Sequence, residues 1–302
     1  MSQRSGIVLA RDRARYRVAT PAGPVTAVLR RKARRDSSDA VVVGDRVLLD
    51  PGETGRACQI VETEPRRTLL VRRTPDGRRP RIIAANIDRV LVLTATADPP
   101  PVPQLLDRLL VVAEANGIPA AVVINKIDLA PPDALLARFR RIGYSAWAGC
   151  VRSGEGLEPI LEQIVGHVIL LTGPSGVGKS SLLNRVQPGL ALRTGEVSAK
   201  VRRGRHTTVT AVMVPLQAGG FVVDTPGFSD VGVWGIEPRD LARCFPEMRG
   251  PSEGCKFADC RHLTEPACAV RSAVERGEIA EDRYQSYRAL LDEMVRAPKH
   301  WE

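Results

Sequence analysis

At 302 residues the chain is about twice the usual domain length, so two or three domains and cores of ordinary size are expected. Its 43% apolar and 26% charged content is that of a soluble globular protein. No apolar run approaches the ~18 residues of a spanning helix, and the first residues lack the apolar stretch of a secretory signal, which excludes a membrane protein and points to the cytoplasm. The net charge of +10 is uneven: residues 1–81 hold 19 Lys/Arg against 9 Asp/Glu, and the remainder balances. An arginine-rich block of that kind favours a polyanion, nucleic acid in preference to an acidic membrane face.

In chain order, residues 1–81 read as short β segments at Gly6–Leu9, Tyr16–Ala19, Val25–Leu29, Val41–Leu49, Cys58–Glu62 and Leu69–Arg72, separated by Gly- and Pro-rich turns. This pattern predicts a small OB-like barrel with a basic surface. Tyr16 is the one aromatic before residue 100, so contact through phosphates is expected over base stacking.

From Ile82 the pattern alternates between strand and helix. Strands are predicted at Arg89–Thr94, Ala120–Ile124, Ser145–Val151, Val168–Leu171 and Gly220–Val223, and helices near 104–116, 133–141 and 157–165. Continuously apolar strands between helices predict a parallel sheet with helices on both faces and a ligand site at the carboxyl ends of its strands. From Pro238 the chain turns to a cysteine cluster and a helix over 282–295, whose stripe of Tyr284, Tyr287, Leu291 and Met294 is read as a packing face against the preceding domain. The expected architecture is therefore multidomain α/β with a small all-β domain: a barrel over 1–81, a nucleotide-binding domain over 82–237, and a metal-binding module with helices over 238–302.

Gly173, Pro174, Ser175, Gly176, Val177, Gly178, Lys179 and Ser180 fit G-x-x-x-x-G-K-[ST] at every fixed position, directly after a predicted strand, with Ser181 next in line. Glycines let the backbone curl so that N–H groups cradle phosphate, Lys179 reaches the β- and γ-phosphates, and the Ser180 hydroxyl ligates Mg²⁺. The loop alone is also similar to that of guanylate kinases, so a nucleoside-phosphate kinase stays open at this point. So does a nucleic-acid-binding protein that holds nucleotide only as a structural ligand.

Two further motifs bear on the choice. Asp224-Thr225-Pro226-Gly227 follows a strand, which places Asp224 at the Mg²⁺ shell and the Gly227 N–H at a γ-phosphate. Asn125-Lys126-Ile127-Asp128 matches the guanine-reading motif of GTPases: the Asp128 carboxylate can pair with N1–H and the 2-amino group, Asn125 braces the loop, and the Lys126 stem covers the base plane. Cys255, Cys260, His262 and Cys268 supply the Cys₃His set of a closed structural Zn²⁺ site, while Cys58 and Cys244 read as ordinary free cysteines.

The base-reading motif precedes the phosphate loop, and this order resembles that of the circularly permuted GTPases. With a basic barrel in front and the cysteine cluster behind, the whole chain resembles the RsgA (YjeQ) family of small ribosomal subunit-dependent GTPases. That resemblance implies a monomeric cytoplasmic assembly factor that binds the small ribosomal subunit and its rRNA late in maturation. It also implies GTP hydrolysis to GDP and phosphate, stimulated by the subunit, with GTP/GDP, Mg²⁺ and one structural Zn²⁺ as its ligands.

In the segment Gly204-Arg205-His206-Thr207-Thr208, the resemblance implies a threonine, Thr207 or Thr208, on Mg²⁺ and a catalytic role for His206. The position after Asp224–Gly227, where many GTPases place a water-orienting glutamine, holds Phe228, so another group must position water. The alternative for His206 is a loop histidine with no part in the chemistry. The family's third guanine-site loop usually carries a Ser-Ala pair. Alignment on Gly154-Glu155-Gly156-Leu157 puts Cys150 and Val151 there, with Ser145-Ala146 excluded by spacing, and the backbone N–H toward guanine O6 survives the change.

Overall fold

The computed structural model describes residues 4–30, 41–51, 58–73, 80–190, 211–225, 233 and 236–296. Among these, β1 (Arg4–Asp12), β2 (Arg15–Thr20), β3 (Gly23–Leu29), β4 (Arg46–Asp50) and β5 (Cys58–Thr63) close into a barrel in the order β1-β2-β3-β5-β4. All pairs are antiparallel except β3 with β5, and β4 returns to β1. Strict alternation drives the closure. In β2, Tyr16 and Val18 point inward to meet Val8, Val47, Leu49 and Ile60, while Arg15 and Arg17 face solvent.

Two sequence expectations need correction here. The predicted strand at 41–49 begins only at Arg46, because Val41–Asp45 instead form a connector whose Val43 bridges to Ala84. The segment at 69–72 is not a barrel strand: β6 (Leu69–Arg73) pairs antiparallel with β7 (Pro80–Ala85) in a separate ribbon. The chain is steered off the barrel just before β6. Arg66 forks onto buried Asp45 at 2.7 and 2.9 Å, the Arg67 N–H donates to Asn86 Oδ1 at 2.9 Å, and the Thr68 hydroxyl donates to the Ile87 carbonyl at 2.8 Å.

The second sheet runs β10-β9-β8-β11-β13-β12, built from β8 (Arg89–Ala95), β9 (Ala120–Asn125), β10 (Ser145–Ala148), β11 (Val168–Thr172), β12 (Val212–Pro215) and β13 (Phe221–Asp224). Side chains of β8 alternate between two apolar layers. Val90 and Val92 meet Leu106, Leu109 and Leu110 of α1 (Pro103–Ala115). Leu91 and Leu93 meet the other layer, which holds Ile160 of α3 (Glu158–Glu162) and Leu182 of α4 (Lys179–Val186). The helix α2 (Asp133–Arg141) buries Phe139 on the α1 side. Burial on both faces explains the unbroken apolar strands.

The sheet is not wholly parallel as expected. β12 is antiparallel to β13, because a tight connection over 216–220, with the Leu216 N–H on the Gly220 carbonyl at 3.0 Å, turns the pair into a hairpin. The strand predicted at 145–151 stops at Ala148, freeing Cys150 and Val151 for a loop.

After residue 236 the chain forms a 3-10 helix (Pro238–Cys244), α5 (Pro246–Glu253), α6 (Ala269–Glu275) and α7 (Glu281–Arg296). Phe245, Met248, Tyr287 and Leu291 make their core together with Val111 of α1. The tyrosines of α7 do not chiefly face the preceding domain. The Tyr284 hydroxyl donates to the His262 carbonyl at 2.5 Å and that of Tyr287 to the Arg261 carbonyl at 2.9 Å, fastening the cysteine loop. Beside the apolar contact at Val111, the seam with α1 carries buried polar residues. Arg283 lies fully buried 2.9 Å from Asp107, and the Ser286 hydroxyl donates to Asp107 at 2.7 Å.

Candidate nucleotide site and metal cluster

The strands β9, β8, β11 and β13 all point their carboxyl ends the same way, and the candidate residues gather there. β11 runs into the loop Gly173–Gly178, which ends as α4 begins at Lys179. Two glycines are required by geometry. A Cβ on Gly173 (φ +140°) would sit 2.0 Å from the Leu93 carbonyl oxygen, and one on Gly178 (φ +101°) would sit 2.3 Å from Asn125 Nδ2. The Lys179 ammonium donates to the carbonyls of Gly173 at 2.8 Å and Pro174 at 2.6 Å, curled into the mouth of its own loop, and burial lowers its pKa below the ordinary lysine value. Ser180 and Ser181 follow on the first turn of α4, with Pro174, Ser175, Gly176 and Val177 forming the loop itself.

Asn125 ends β9 and ties three segments together. Its Nδ2 donates to the Val177 carbonyl at 2.8 Å, in the phosphate loop, and its Oδ1 accepts the Val151 N–H at 3.0 Å. The chain then reverses through Lys126 (φ +64°), whose carbonyl accepts the Thr96 hydroxyl at 2.5 Å and whose ammonium reaches the Asp98 carbonyl. Asp128 sits against the loop that follows β10: the Cys150 thiol donates to Asp128 Oδ1 at 3.2 Å, and Arg152 lies 3.2 Å from Oδ2. The N–H groups of Cys150 and Val151 are both paired within the protein, to the Glu155 carbonyl at 2.8 Å and to Asn125, so a guanine O6 would share or take over the Val151 donor. Ser145 and Ala146 lie within β10.

Asp224 closes β13 beside β11, and the adjacent Thr225 hydroxyl is buried without a partner among the described residues, a polar atom that a hydrated cation or phosphate would satisfy. Ser180, Asp224 and Thr225 are oxygen donors of the kind Mg²⁺ takes. His206, Thr207 and Thr208, together with Gly204, Arg205, Gly227 and Phe228, lie outside the described residues.

Cys255, Cys260, His262 and Cys268 converge so that their ligand atoms all lie within 4.8 Å of one another. The His262 Nδ1 is 3.5 Å from the Cys255 sulfur and 3.4 Å from that of Cys268, and those sulfurs are 3.9 Å apart. A tetrahedral Zn²⁺ with ordinary bond lengths has edges of about 3.8 Å between sulfurs and about 3.6 Å from sulfur to nitrogen, so the cluster fits that ion. Burial pushes the Cys260 thiol up to about 12 and lowers the His262 pKa, as expected of ligands gathered in a dry pocket. Glu265 braces the loop by accepting the N–H groups of Arg261, Leu263 and Thr264, a role that the cysteine spacing did not signal. Cys58 and Cys244 are free, Cys244 within the core.

A G-x-x-x-x-G-K-S loop at the end of β11, with the Asn125–Asp128 turn and the Cys150 loop drawn from strands that come earlier in the chain, is the arrangement of a circularly permuted GTPase. The model of the RsgA GTPase family matches residues 63–234. A small ribosomal subunit biogenesis GTPase RsgA of Gemmatimonas aurantiaca is 47% identical over 277 residues, covering 89% of this chain and 90% of that one. The protein of the same name from Thermotoga maritima is 40% identical over 84% of each chain. Among solved structures, YjeQ from Thermotoga maritima superposes with a TM-score of 0.80 at 34% identity, covering 98% of this chain and all of that one. YloQ, described as a circularly permuted GTPase, gives 0.75 at 28%, covering 99% and 97%. The chain belongs to the RsgA GTPase family.

Proposed function

We propose that this protein is a small ribosomal subunit biogenesis GTPase that docks on the subunit and hydrolyses GTP to GDP and phosphate. The observation that carries this reading is the junction at Asn125, which joins the base-reading turn, the Cys150 loop and the phosphate loop through one carboxamide. A kinase would need a second nucleotide cradle, and the Asn125–Asp128 turn has no part in phosphate acceptance.

In this mechanism Asp128 pairs with the guanine edge, Lys126 lies along the base, and the backbone N–H groups of Gly173–Gly178 hold the phosphates. On binding, the Lys179 ammonium moves from its two loop carbonyls to the β- and γ-phosphate oxygens. Ser180, Thr207 or Thr208, and Asp224 would hold a Mg²⁺ ion, which would supply positive charge to the phosphates. Gly227 donates its N–H to the γ-phosphate. His206 orients the attacking water in place of the glutamine that Phe228 replaces. The stabilisation is mostly positional and electrostatic, so turnover without the subunit is slow.

Cys255, Cys260, His262 and Cys268 would hold one structural Zn²⁺, and with four protein ligands the ion would stabilise the C-terminal module rather than take part in the chemistry. Among the described residues no helix is long and apolar enough to cross a membrane. The exposed Arg15 and Arg17 of the barrel meet rRNA phosphates. The division into an N-terminal unit (1–81) that holds the barrel and, outside it, β6, a GTPase (82–237) and a metal module (238–302), acting as a cytoplasmic monomer, completes the reading.

The deciding experiment is phosphate release from GTP and from ATP, with and without purified small subunits, on a preparation whose zinc content is measured. GTP-selective hydrolysis raised manyfold by the subunit, with one zinc per chain, is expected. Equal use of ATP, or no response to the subunit, would sink the proposal.

A further inference from the structure

Asp128 is held from two sides by groups of very different character. On the inner side, Cys150 is 1% exposed and fully engaged: its N–H donates to the Glu155 carbonyl, its carbonyl accepts the Gly154 N–H, and its sulfur accepts the Ser153 N–H at 3.5 Å. A thiol carries one proton, and an ionised carboxylate only accepts. The 3.2 Å contact therefore runs from the thiol to Asp128 Oδ1, with the sulfur lone pairs left for Ser153. On the outer side, the Arg152 side chain is 87% exposed, and its guanidinium lies 3.2 Å from Oδ2.

The two partners differ in what it costs to lose them. An exposed ion pair contributes little, and a guanidinium presents planar N–H donors much as guanine presents N1–H and its 2-amino group, so the base can replace Arg152 readily. Nothing can replace a buried thiol from solvent. Without it, the carboxylate loses the contact that fixes its rotation about the Cβ–Cγ bond.

We propose that Cys150 is a specificity-determining positioning residue, whose buried thiol sets the Asp128 carboxylate plane so that both oxygens meet the guanine edge, while Arg152 holds the outer oxygen until the base displaces it. The proposal rests on the reading of Asp128 as the guanine-recognising group. It concerns the side chain of Cys150, where the nucleotide site otherwise uses only the backbone of that loop.

The test compares GDP, IDP and ADP binding by calorimetry. IDP keeps N1–H and lacks the 2-amino group, so the GDP-to-IDP preference reports whether both carboxylate oxygens are aimed. Cys150→Ala is expected to cut that preference by about tenfold, the size of one hydrogen bond to a charged group. Cys150→Ser, which keeps a donor at the same position, is expected to restore it. Arg152→Ala is expected to leave the preference unchanged and GDP affinity equal or higher by up to about threefold.

Thermal melting of each variant separates a folding defect from a change in recognition. If Cys150→Ala weakens GDP and IDP alike, or Cys150→Ser fails to rescue, the thiol is only structural and the proposal falls. A tenfold loss of GDP affinity in Arg152→Ala would overturn the displacement step. If the unaltered protein binds ADP as tightly as GDP, the guanine-site reading fails first and the proposal with it. Retained GDP-over-ADP selectivity with an unchanged GDP-to-IDP ratio in Cys150→Ala overturns the proposal alone.

Discussion

The Asn125 carboxamide uses both of its polar ends inside the protein, toward Val177 and toward Val151, at 2.8 and 3.0 Å. Truncation to alanine leaves a buried carbonyl and a buried N–H without partners and lets three loops drift apart. Asn125→Ala is expected to weaken GDP binding by roughly 2–3 kcal/mol, the sum of two such bonds, as measured by titration calorimetry. Affinity within threefold of the original would show that the loops are held by other contacts. At this scale the sequence is most informative in contiguous runs: that Gly173–Ser180 forms a loop between β11 and α4, and that Asn125–Asp128 turns at the end of β9, are legible because each run has fixed residue types at fixed spacing after an apolar strand. The thiol contact of Cys150 is not legible, since it joins positions 22 residues apart through the turn after β10. Glu265 is hidden for a related reason: its three backbone partners depend on the path of the cysteine loop.

Among the elements, α1, α2 and α7 are the easiest to read, because an apolar stripe at helical spacing survives any change of neighbour. The β12–β13 hairpin and the β6–β7 ribbon escape notice because four- to six-residue apolar runs do not state their partners. The seam between α1 and α7 is also silent in sequence. There, Asp107 is fully buried among Arg283, Arg138 and Ser286, and Glu247 takes the other end of Arg283 at 2.6 Å. Arg283 Nη1 faces Asp107 without an aligned N–H, so that contact is an ion pair and not a directed hydrogen bond. Burial works to lower the Arg283 pKa, but Glu247 and Asp107 outweigh it and hold the guanidinium above its ordinary value. The Phe245 ring adds a cation–π contact at 4.4 Å. Removing one member strands a charge in the interior. Asp107→Ala is expected to lower the unfolding free energy by about 3–5 kcal/mol in chemical denaturation. The triple replacement Asp107→Leu, Arg283→Met and Glu247→Gln, which leaves no carboxylate stranded in the seam, should recover most of that loss. A single substitution costing under about 1 kcal/mol would mean that water reaches the seam.

Across the whole molecule, charge is segregated while packing is shared. The excess of arginine lies in the first 81 residues, and β2 presents Arg15 and Arg17 outward from a closed barrel. If these two meet phosphates, Arg15→Glu with Arg17→Glu should weaken subunit binding and reduce the slope of log K against log salt by about 2. An unchanged slope would place the contacts on other residues of the chain. Basal GTP hydrolysis without the subunit should be unaffected, because both residues sit in the barrel. The barrel, however, is not a free appendage. Leu9 and Val43 belong to the same apolar layer as Ile83, Val90 and Met213, and Asn86 donates to the Gly44 carbonyl at 2.9 Å. A Cβ on Gly44 would meet the Ala85 carbonyl oxygen at 2.0 Å, which shows how closely the two backbones approach.

That shared layer bears on how the protein stays dispersed in a crowded cell. β12 lies at the margin of the large sheet, paired among the described residues with β13 alone, and β1 of the barrel packs beside it. A bare strand margin with an apolar floor is a template for pairing with another chain. A version of the protein starting at residue 66, which lacks the barrel strands and keeps the β6–β7 ribbon, would uncover that margin together with Met213 and Ile83. It is expected to self-associate in a concentration-dependent way on size-exclusion chromatography, where the full chain does not. A truncated protein that eluted as a single compact species would show that the margin protects itself. Self-association on removal of the barrel would make it, before any partner arrives, a built-in cover against aggregation.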